Sequence, residues 1–194
     1  MESQQQIDHG ADLPAQPVSG GPVKVELVHL FDKIKAVKAF VFDVDGVLTN
    51  NDLLVTESGE LLRTMNIRDG QAIKWAIRAG YQVGVITGGT SEGVKKRLVN
   101  LGVEEYYSGA QNKWEPFQSF LERTDMLVSE ICYMGDDLPD LPILRKVVLS
   151  CCPADATKEA IEICDYVSAV PGGRGCVRDI IEKVMKLQDK WPEY

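Results

Sequence analysis

The chain has 194 residues, 44% of them hydrophobic, and a formal net charge of −8 at pH 7. This length and apolar content fit one compact domain with its own core, and the acidic balance argues against a broad surface for nucleic acid or an anionic membrane. No apolar run approaches the roughly 18 residues of a membrane-spanning helix and no signal-peptide pattern opens the chain, so we expect a cytoplasmic protein.

Two segments precede the predicted core of the domain. Residues 1–22 are rich in Gln, Pro, Gly, Ser and Asp and lack an apolar period, which predicts a disordered leader. Between residues 24 and 36, apolar side chains recur at helical spacing, which predicts an amphipathic helix leading into the domain. We expect residues 23–194 to form a single domain.

From Val37 onward, short apolar runs alternate with helical patterns. Strands are predicted over residues 38–43, 81–87, 104–107, 130–134, 146–150 and 165–168. Helices are predicted over residues 70–79, 91–101, 113–123, 138–145, 155–163 and 175–188. This alternation favours an α/β fold in which a mostly parallel sheet has helices on both faces. Residues 50–66 contain two apolar runs around Ser58 and Gly59, which predicts a β-hairpin.

Four polar clusters follow predicted strands: DVDG at residues 43–46, TGGT at 87–90, the segment around Lys113, and GDDLPD at 135–140. Ligands of such sheets bind beyond the carboxyl ends of the strands, so these clusters are expected to converge. Carboxylates brought together raise one another's pKa unless a cation lies among them. The oxygen ligands suit Mg²⁺ together with a phosphorylated substrate.

Each cluster taken singly has an ordinary explanation. DVDG is also a turn sequence, TGGT also a helix N-cap, Lys113 also a surface lysine, and GDDLPD also an acidic helix N-terminus. Two other site types are excluded, because an EF-hand loop needs glycine where Leu48 stands and a Walker A loop needs lysine where Val94 stands. The shared sheet edge favours a joint site over the separate explanations.

Cysteine and histidine chemistry is disfavoured. The five cysteines include no C-x-x-C pair, which predicts small core residues rather than disulfides or a metal site. None is followed by arginine at the spacing that a cysteine-dependent phosphatase needs. With only His9 and His29 in the chain, a mechanism that depends on histidine has little support.

The ordered set of DVDGVLT after a strand, Thr87, Lys113 and GDDLPD resembles the haloacid dehalogenase superfamily of phosphohydrolases over residues 38–140. The resemblance implies a Rossmann-like three-layer α/β/α sandwich and a Mg²⁺-dependent phosphatase. It implies that Asp43 is the nucleophile that forms an aspartyl-phosphate and that Asp45 is the general acid and base. It further implies phosphoryl binding by Thr87 and Lys113, Mg²⁺ binding by Asp43, Asp136 and the backbone carbonyl of Asp45, and ordering of Lys113 or metal-bound water by Asp137 and Asp140.

Motif spacing indicates a member without a cap domain. Residues 44–86 hold only the hairpin and one helix, and residues 88–112 hold one helix and one strand. The site is then open unless a neighbouring subunit covers it, so we expect an oligomer whose subunits complete one another's sites.

Four further segments resemble one capless group, the 3-deoxy-D-manno-octulosonate 8-phosphate phosphatases: NIRDGQAIKWAIRAGYQVGVITGG, LGVEEYYSGAQNKWEPF, GDDLPDLPIL and PGGRGCVRDIIEKV. The resemblance implies a homotetramer acting in lipopolysaccharide biosynthesis, with a glycine-rich tail that reaches toward a neighbouring site. It implies sugar-acid binding by Arg68, Asp69, Gly88, Gly172, Gly173, Arg174 and Gly175. The tail also fits a flexible linker before the last helix.

The chain departs from the group at two positions. Gly89 stands where many members have arginine, so any contact of that arginine is absent or supplied by Arg63, Arg68 or Arg174. Val148 stands where relatives usually have glycine. Two alternatives remain open: a phosphatase of a related nine-carbon acid, 2-keto-3-deoxy-nononate or N-acylneuraminate 9-phosphate, and a non-catalytic binding domain, against which the intact motif set argues.

Overall fold

The computed structural model describes residues 29–193, so the predicted leader and the start of the first predicted helix lie outside the described residues. The strands are β1 Ala39–Phe42, β2 Leu54–Val55, β3 Leu61–Leu62, β4 Gln82–Ile86, β5 Glu105–Tyr107, β6 Ile131–Met134, β7 Leu149–Cys152 and β8 Tyr166–Val167. The α-helices are α1 Leu30–Ala36, α2 Ile67–Arg78, α3 Glu92–Leu101, α4 Trp114–Thr124, α5 Leu141–Leu144, α6 Lys158–Ile163 and α7 Cys176–Leu187.

Six strands form one parallel sheet in the order β5-β4-β1-β6-β7-β8. The remaining two, β2 and β3, pair antiparallel as the predicted hairpin. The predicted fold class is therefore confirmed. Among the described residues, no helix has the length and apolar character needed to cross a membrane.

The core lies on both faces of the sheet because successive side chains of a strand point in opposite directions. Phe40 and Phe42 of β1 pack on the face covered by α1, α2, α3 and α7. Ala39 and Val41 pack on the face covered by α4, α5 and α6. All four residues are fully buried, which explains why β1 has the continuous apolar run typical of a central parallel strand.

Predicted boundaries differ from the structure by up to three residues, as at the starts of α2, α5, α6 and β7. Helix α2 begins at Ile67, before the predicted residue 70, because the Asn66 side chain caps it by accepting from the Arg68 N–H at 2.8 Å. Strand β7 begins at Leu149 rather than residue 146, because the N–H groups of residues 146 and 147 still donate to the Ile143 carbonyl and extend the helical turn. Val148, which stands where relatives usually have glycine, lies next to this boundary and packs against the core.

The register of the central strands positions the polar clusters. Phe42 at the end of β1 pairs with Val85 of β4 on one side and with Met134 of β6 on the other. The residues that follow these three strands therefore leave the sheet side by side, at the edge where ligands of parallel sheets bind.

Candidate active site

The segment DVDG forms a tight turn directly after β1. Asp45 has φ −72° and ψ 120°, and Gly46 has φ +88° and ψ −9°, which are the angles of the two central residues of a type II turn. The second of these positions requires a positive φ and hence favours glycine. Thr49 closes the loop, since its N–H and its hydroxyl donate to the Val44 carbonyl at 2.9 and 3.1 Å. The turn explanation is thus correct locally, and this turn holds the two aspartates.

A buried ion-pair network lies beneath the turn. Lys113 Nζ lies 2.8 Å from Asp43 Oδ2 and 2.7 Å from Asp140 Oδ1, and its side chain is only 5% exposed. Burial alone would lower the lysine pKa, but the two carboxylates more than offset burial and the pKa of Lys113 is raised. Lys113 is therefore a fixed positive charge beside the predicted nucleophile, and the surface-lysine explanation is wrong.

Asp140 accepts hydrogen bonds from four groups of this network. Its Oδ1 accepts from Lys113 Nζ and from the Tyr133 hydroxyl at 2.6 Å, and its Oδ2 accepts from the backbone N–H groups of Asp136 and Asp137 at 3.2 and 3.3 Å. The residue is completely buried. Its oxygens are fully used as acceptors, so Asp140 orients Lys113 and the loop that carries Asp136.

The carboxylates of Asp43, Asp136 and Asp140 offer oxygens that all lie within 4.8 Å of one another. Burial, followed by the negative charge of Asp140, raises the pKa of Asp43 to about 7 and that of Asp136 to about 6. A cation between them would favour their ionised forms. Since Asp140 is already engaged by four donors, Asp43 and Asp136 are the carboxylates that fit a divalent, oxygen-preferring ion such as Mg²⁺.

Asp45 differs from Asp43 in exposure and in its partner. Its side chain is 40% exposed, and Arg63 from the end of the hairpin binds it through two contacts, Nε to Oδ1 at 2.5 Å and Nη2 to Oδ2 at 3.3 Å. A Cβ at Gly89 would lie 3.4 Å from Arg63 Nη2. Many members of the group have arginine where Gly89 stands, and Arg63, Arg68 and Arg174 were the candidates to replace it. The guanidinium of Arg63 is the one that lies beside Gly89.

The predicted catalytic residues meet in one open cavity of about 410 Å³. The predicted site residues that line it are Asp43, Asp45, Thr87, Gly88, Lys113, Asp136 and Asp137. Thr87 follows β4 and is buried, and its hydroxyl accepts from the Gly89 N–H at 3.1 Å. Sequence reasoning missed Asn51, which also lines the cavity and donates to Asp136 at 3.3 Å, because an isolated asparagine in a loop carries no motif.

A second cavity of about 760 Å³ adjoins the first, since Gly88 and Gly89 line both. It lies between the hairpin and α3 and contains two cationic side chains, Arg63 and Arg97. Glu60 also lines the larger cavity and Arg63 is paired with Asp45, so Arg97 is its arginine without that carboxylate partner.

Comparison with known proteins agrees with this geometry. The chain is 36% identical over 173 residues, 89% of this chain and 90% of its relative, to the 3-deoxy-D-manno-octulosonate 8-phosphate phosphatase KdsC of Salmonella typhi. The chain belongs to the 3-deoxy-D-manno-octulosonate 8-phosphate phosphatase family. No protein-family model matches the chain.

Solved structures of this phosphatase family have the same fold. The phosphatase from Yersinia pestis matches with a TM-score of 0.81 at 30% identity, covering 83% of this chain and 87% of that one. The phosphatase from Moraxella catarrhalis, solved in complex with a magnesium ion, a phosphate ion and a KDO molecule, matches with a TM-score of 0.80 at 27% identity, covering 83% and 94%. The haloacid dehalogenase architecture predicted from the motifs is confirmed.

The sugar-acid contacts that the phosphatase family implies lie mostly outside the two cavities. Arg68, Arg174 and Gly175 line a separate cavity of about 350 Å³ at the start of α7. Asp69 is 1% exposed and accepts from the Arg178 N–H at 2.7 Å, so it caps α7 from α2. Sugar-acid binding by these residues stays a prediction, and the contacts of Asp69 favour a capping role.

Gly172 and Gly173 do not line the catalytic cavity. They pack against the backbone of the turn that follows β1, where a Cβ on Gly172 would lie 2.0 Å from the Gly46 carbonyl oxygen. This contact leaves no room for a flexible-linker role at these two residues. It also places them against residues 43–50 of their own subunit, the segment called the catalytic turn below.

Proposed function

We propose that this protein hydrolyses 3-deoxy-D-manno-octulosonate 8-phosphate to the free sugar acid and inorganic phosphate in a Mg²⁺-dependent reaction. The observation that carries the proposal is the buried carboxylate of Asp43, paired with Lys113 at 2.8 Å at the base of an open cavity. Relatives that match most of the chain are phosphatases of this sugar-acid phosphate, which supports the choice of substrate.

Two displacements at phosphorus account for the reaction. A carboxylate oxygen of Asp43 attacks phosphorus, and the ester oxygen departs with the bonding electrons and takes a proton from Asp45. A water molecule then gives a proton to Asp45 and attacks the aspartyl-phosphate at phosphorus. The bond from phosphorus to Asp43 breaks, which releases inorganic phosphate and restores both side chains.

Neighbouring groups make attack by an anion on an anion possible. The Lys113 ammonium and the Thr87 hydroxyl lie on the cavity wall where the phosphoryl oxygens would be bound. A Mg²⁺ ion held by Asp43 and Asp136, and by the Asp45 backbone carbonyl as the family implies, would neutralise phosphoryl charge. Arg63 holds the Asp45 carboxylate in a fixed orientation before substrate arrives.

The larger cavity supports a sugar acid as the alcohol portion of the substrate. Arg97 supplies a cationic side chain in this cavity that complements a carboxylate on the sugar, whereas Arg63 is paired with Asp45. The eight-carbon acid is chosen over a nine-carbon one because the relatives that cover the chain bear that name.

We also propose that the protein forms a homo-oligomer. The sequence predicts that this oligomer is a homotetramer and that the protein is cytoplasmic. Five large apolar side chains of the hairpin region are 46–67% exposed: Leu53, Leu54, Val55, Leu61 and Leu62. An isolated two-stranded hairpin is marginally stable in water, so a second copy that buries these side chains would stabilise it.

Purified protein is to be assayed for phosphate release with Mg²⁺ on the eight-carbon and the nine-carbon sugar-acid phosphates. We expect a higher kcat/KM for the eight-carbon compound and loss of turnover in Asp43→Asn. A preference for the nine-carbon compound would overturn the substrate assignment alone. Undiminished turnover in Asp43→Asn would overturn the mechanism.

A further inference from the structure

The glycine-rich loop of residues 171–175 is packed backbone to backbone against the catalytic turn. A Cβ on Gly172 would lie 2.0 Å from the Gly46 carbonyl oxygen, and one on Gly173 would lie 2.3 Å from the Asn50 backbone nitrogen. Real Cβ atoms do not approach backbone atoms this closely, so only glycine fits at either position without a shift of the catalytic turn. Gly173 also has φ +64°, a conformation that other residues rarely adopt.

Hydrogen bonds fix this contact. The Gly173 N–H donates to the Val47 carbonyl at 2.9 Å, and the Cys176 thiol donates to the same carbonyl at 3.3 Å. On its other side the loop is tied to the turn after β7, because the Gly172 N–H donates to Asp155 Oδ1 at 2.8 Å. The loop thus joins the backbone of the catalytic turn to a surface aspartate outside the catalytic cavity.

The catalytic turn is in close contact with Asp136 as well. A Cβ on Gly46 would lie 2.0 Å from Asp136 Oδ2, so the turn already contacts a predicted metal-binding carboxylate. The turn therefore contacts both Asp136 and the loop of residues 171–175, so a shift of the loop toward the turn would displace the turn, which carries Asp45.

We propose that the loop of residues 171–175 is a positioning element for catalysis. Gly172, Gly173 and Asp155 are its positioning residues, because they fix the position of the catalytic turn without touching substrate. The inference rests on the proposed function, because it assigns the loop a role in the same phosphoryl transfer. Reacting groups held in place by a rigid support lose about 100-fold in rate for a misplacement of roughly 1 Å. The loop acts within its own subunit, whatever the oligomer contributes.

Asp155 offers the sharpest test because its side chain is exposed, so its replacement leaves the core intact. In Asp155→Ala the loop loses its acceptor, and we expect kcat on p-nitrophenyl phosphate to fall about tenfold with KM changed less than about twofold. Asp155→Asn keeps an acceptor oxygen and removes the charge, so its kcat should return to near the wild-type value. Melting temperatures of all three proteins, measured in the same buffer, should agree.

Gly172→Ala tests the close contact itself, with Gly80→Ala as the control for backbone strain alone, because φ is +90° there but a Cβ meets nothing within 4 Å. We expect a larger loss of kcat than in Asp155→Ala for the first variant and wild-type activity for the second. Wild-type kcat in Asp155→Ala, or a loss that Asp155→Asn does not restore, would overturn the inference even if Gly172→Ala fails to fold. A wild-type enzyme inactive on every phosphomonoester would overturn the proposed function and the inference with it.

Discussion

Replacing Asp140 by asparagine tests the buried network with almost no change of shape. The wild-type carboxylate accepts from Lys113 and Tyr133 on one oxygen and from two backbone N–H groups on the other. Asparagine has one acceptor oxygen and one NH₂ group. In either orientation of the amide, its NH₂ group faces two buried donors that have lost their acceptor.

The expected cost follows from these contacts. A buried donor without an acceptor costs about 1–3 kcal/mol, and removal of one partner from a buried ion pair costs about 3–5 kcal/mol. Relief of the repulsion between Asp140 and Asp43 offsets part of this, because the charge of Asp140 helps to raise the pKa of Asp43. We expect the free energy of unfolding to fall by about 3 kcal/mol, and kcat to fall because Lys113 loses one of its two anionic partners.

Urea unfolding at pH 7.5 without metal measures the first effect, and phosphate release with Mg²⁺ measures the second. Asp137→Asn is the matched stability control, because Asp137 is exposed and asparagine can still accept from the Leu138 N–H. The control should change stability by less than about 1 kcal/mol. If Asp140→Asn is as stable as this control, the hydrogen bonds and ion pair of Asp140 do not stabilise the fold as we infer.

Three further predictions concern single residues. Lys113→Met should lower kcat by about 10²–10³ in steady-state assays, since it removes the fixed charge beside the phosphoryl group; a loss below tenfold would contradict this role. Gly46→Ala should abolish Mg²⁺-dependent turnover because its Cβ meets Asp136, whereas Gly80→Ala, with the similar φ of +90°, should retain it; equal activities would contradict the steric argument. Burial raises the pKa of Asp69 to about 6 from 3.8, so the folded state binds the proton more tightly and stability is lost as pH rises from about 4 through 6. Measured by urea unfolding, the stability of wild type relative to Asp69→Asn should fall by about 3 kcal/mol over that range, and a pH-independent difference would exclude the assignment.

The sheet and the catalytic cluster were predictable because their signals are local. An apolar run that ends in DVDG predicts a buried strand followed by polar groups, and the alternation of strands and helices places successive loops at one edge of the sheet. Asp43, Thr87 and Lys113 could therefore be assigned to one cavity, which the structure contains.

Contacts between distant segments were not predictable in this way. The pairing of Arg63 with Asp45 depends on how the hairpin folds over the site. The contact of the loop of residues 171–175 with Gly46 depends on how α7 packs against the rest of the domain. The packing of α7 against α2 also buries Asp69 as a cap for α7, although the family resemblance implied a contact with substrate. Such contacts depend on tertiary packing, which cannot be predicted from a sequence motif or from hydrophobic periodicity.

The most direct test of the central claim is the identity of the phosphorylated residue during turnover. Enzyme mixed with 3-deoxy-D-manno-octulosonate 8-phosphate and Mg²⁺ is quenched in acid within milliseconds, digested and examined by mass spectrometry. We predict a peptide that contains Asp43 and carries one added phosphoryl group, absent from Asp43→Asn treated in the same way. Turnover with no phosphorylated peptide at any quench time, or with the phosphoryl group on another residue, would contradict the role of Asp43 as the nucleophile.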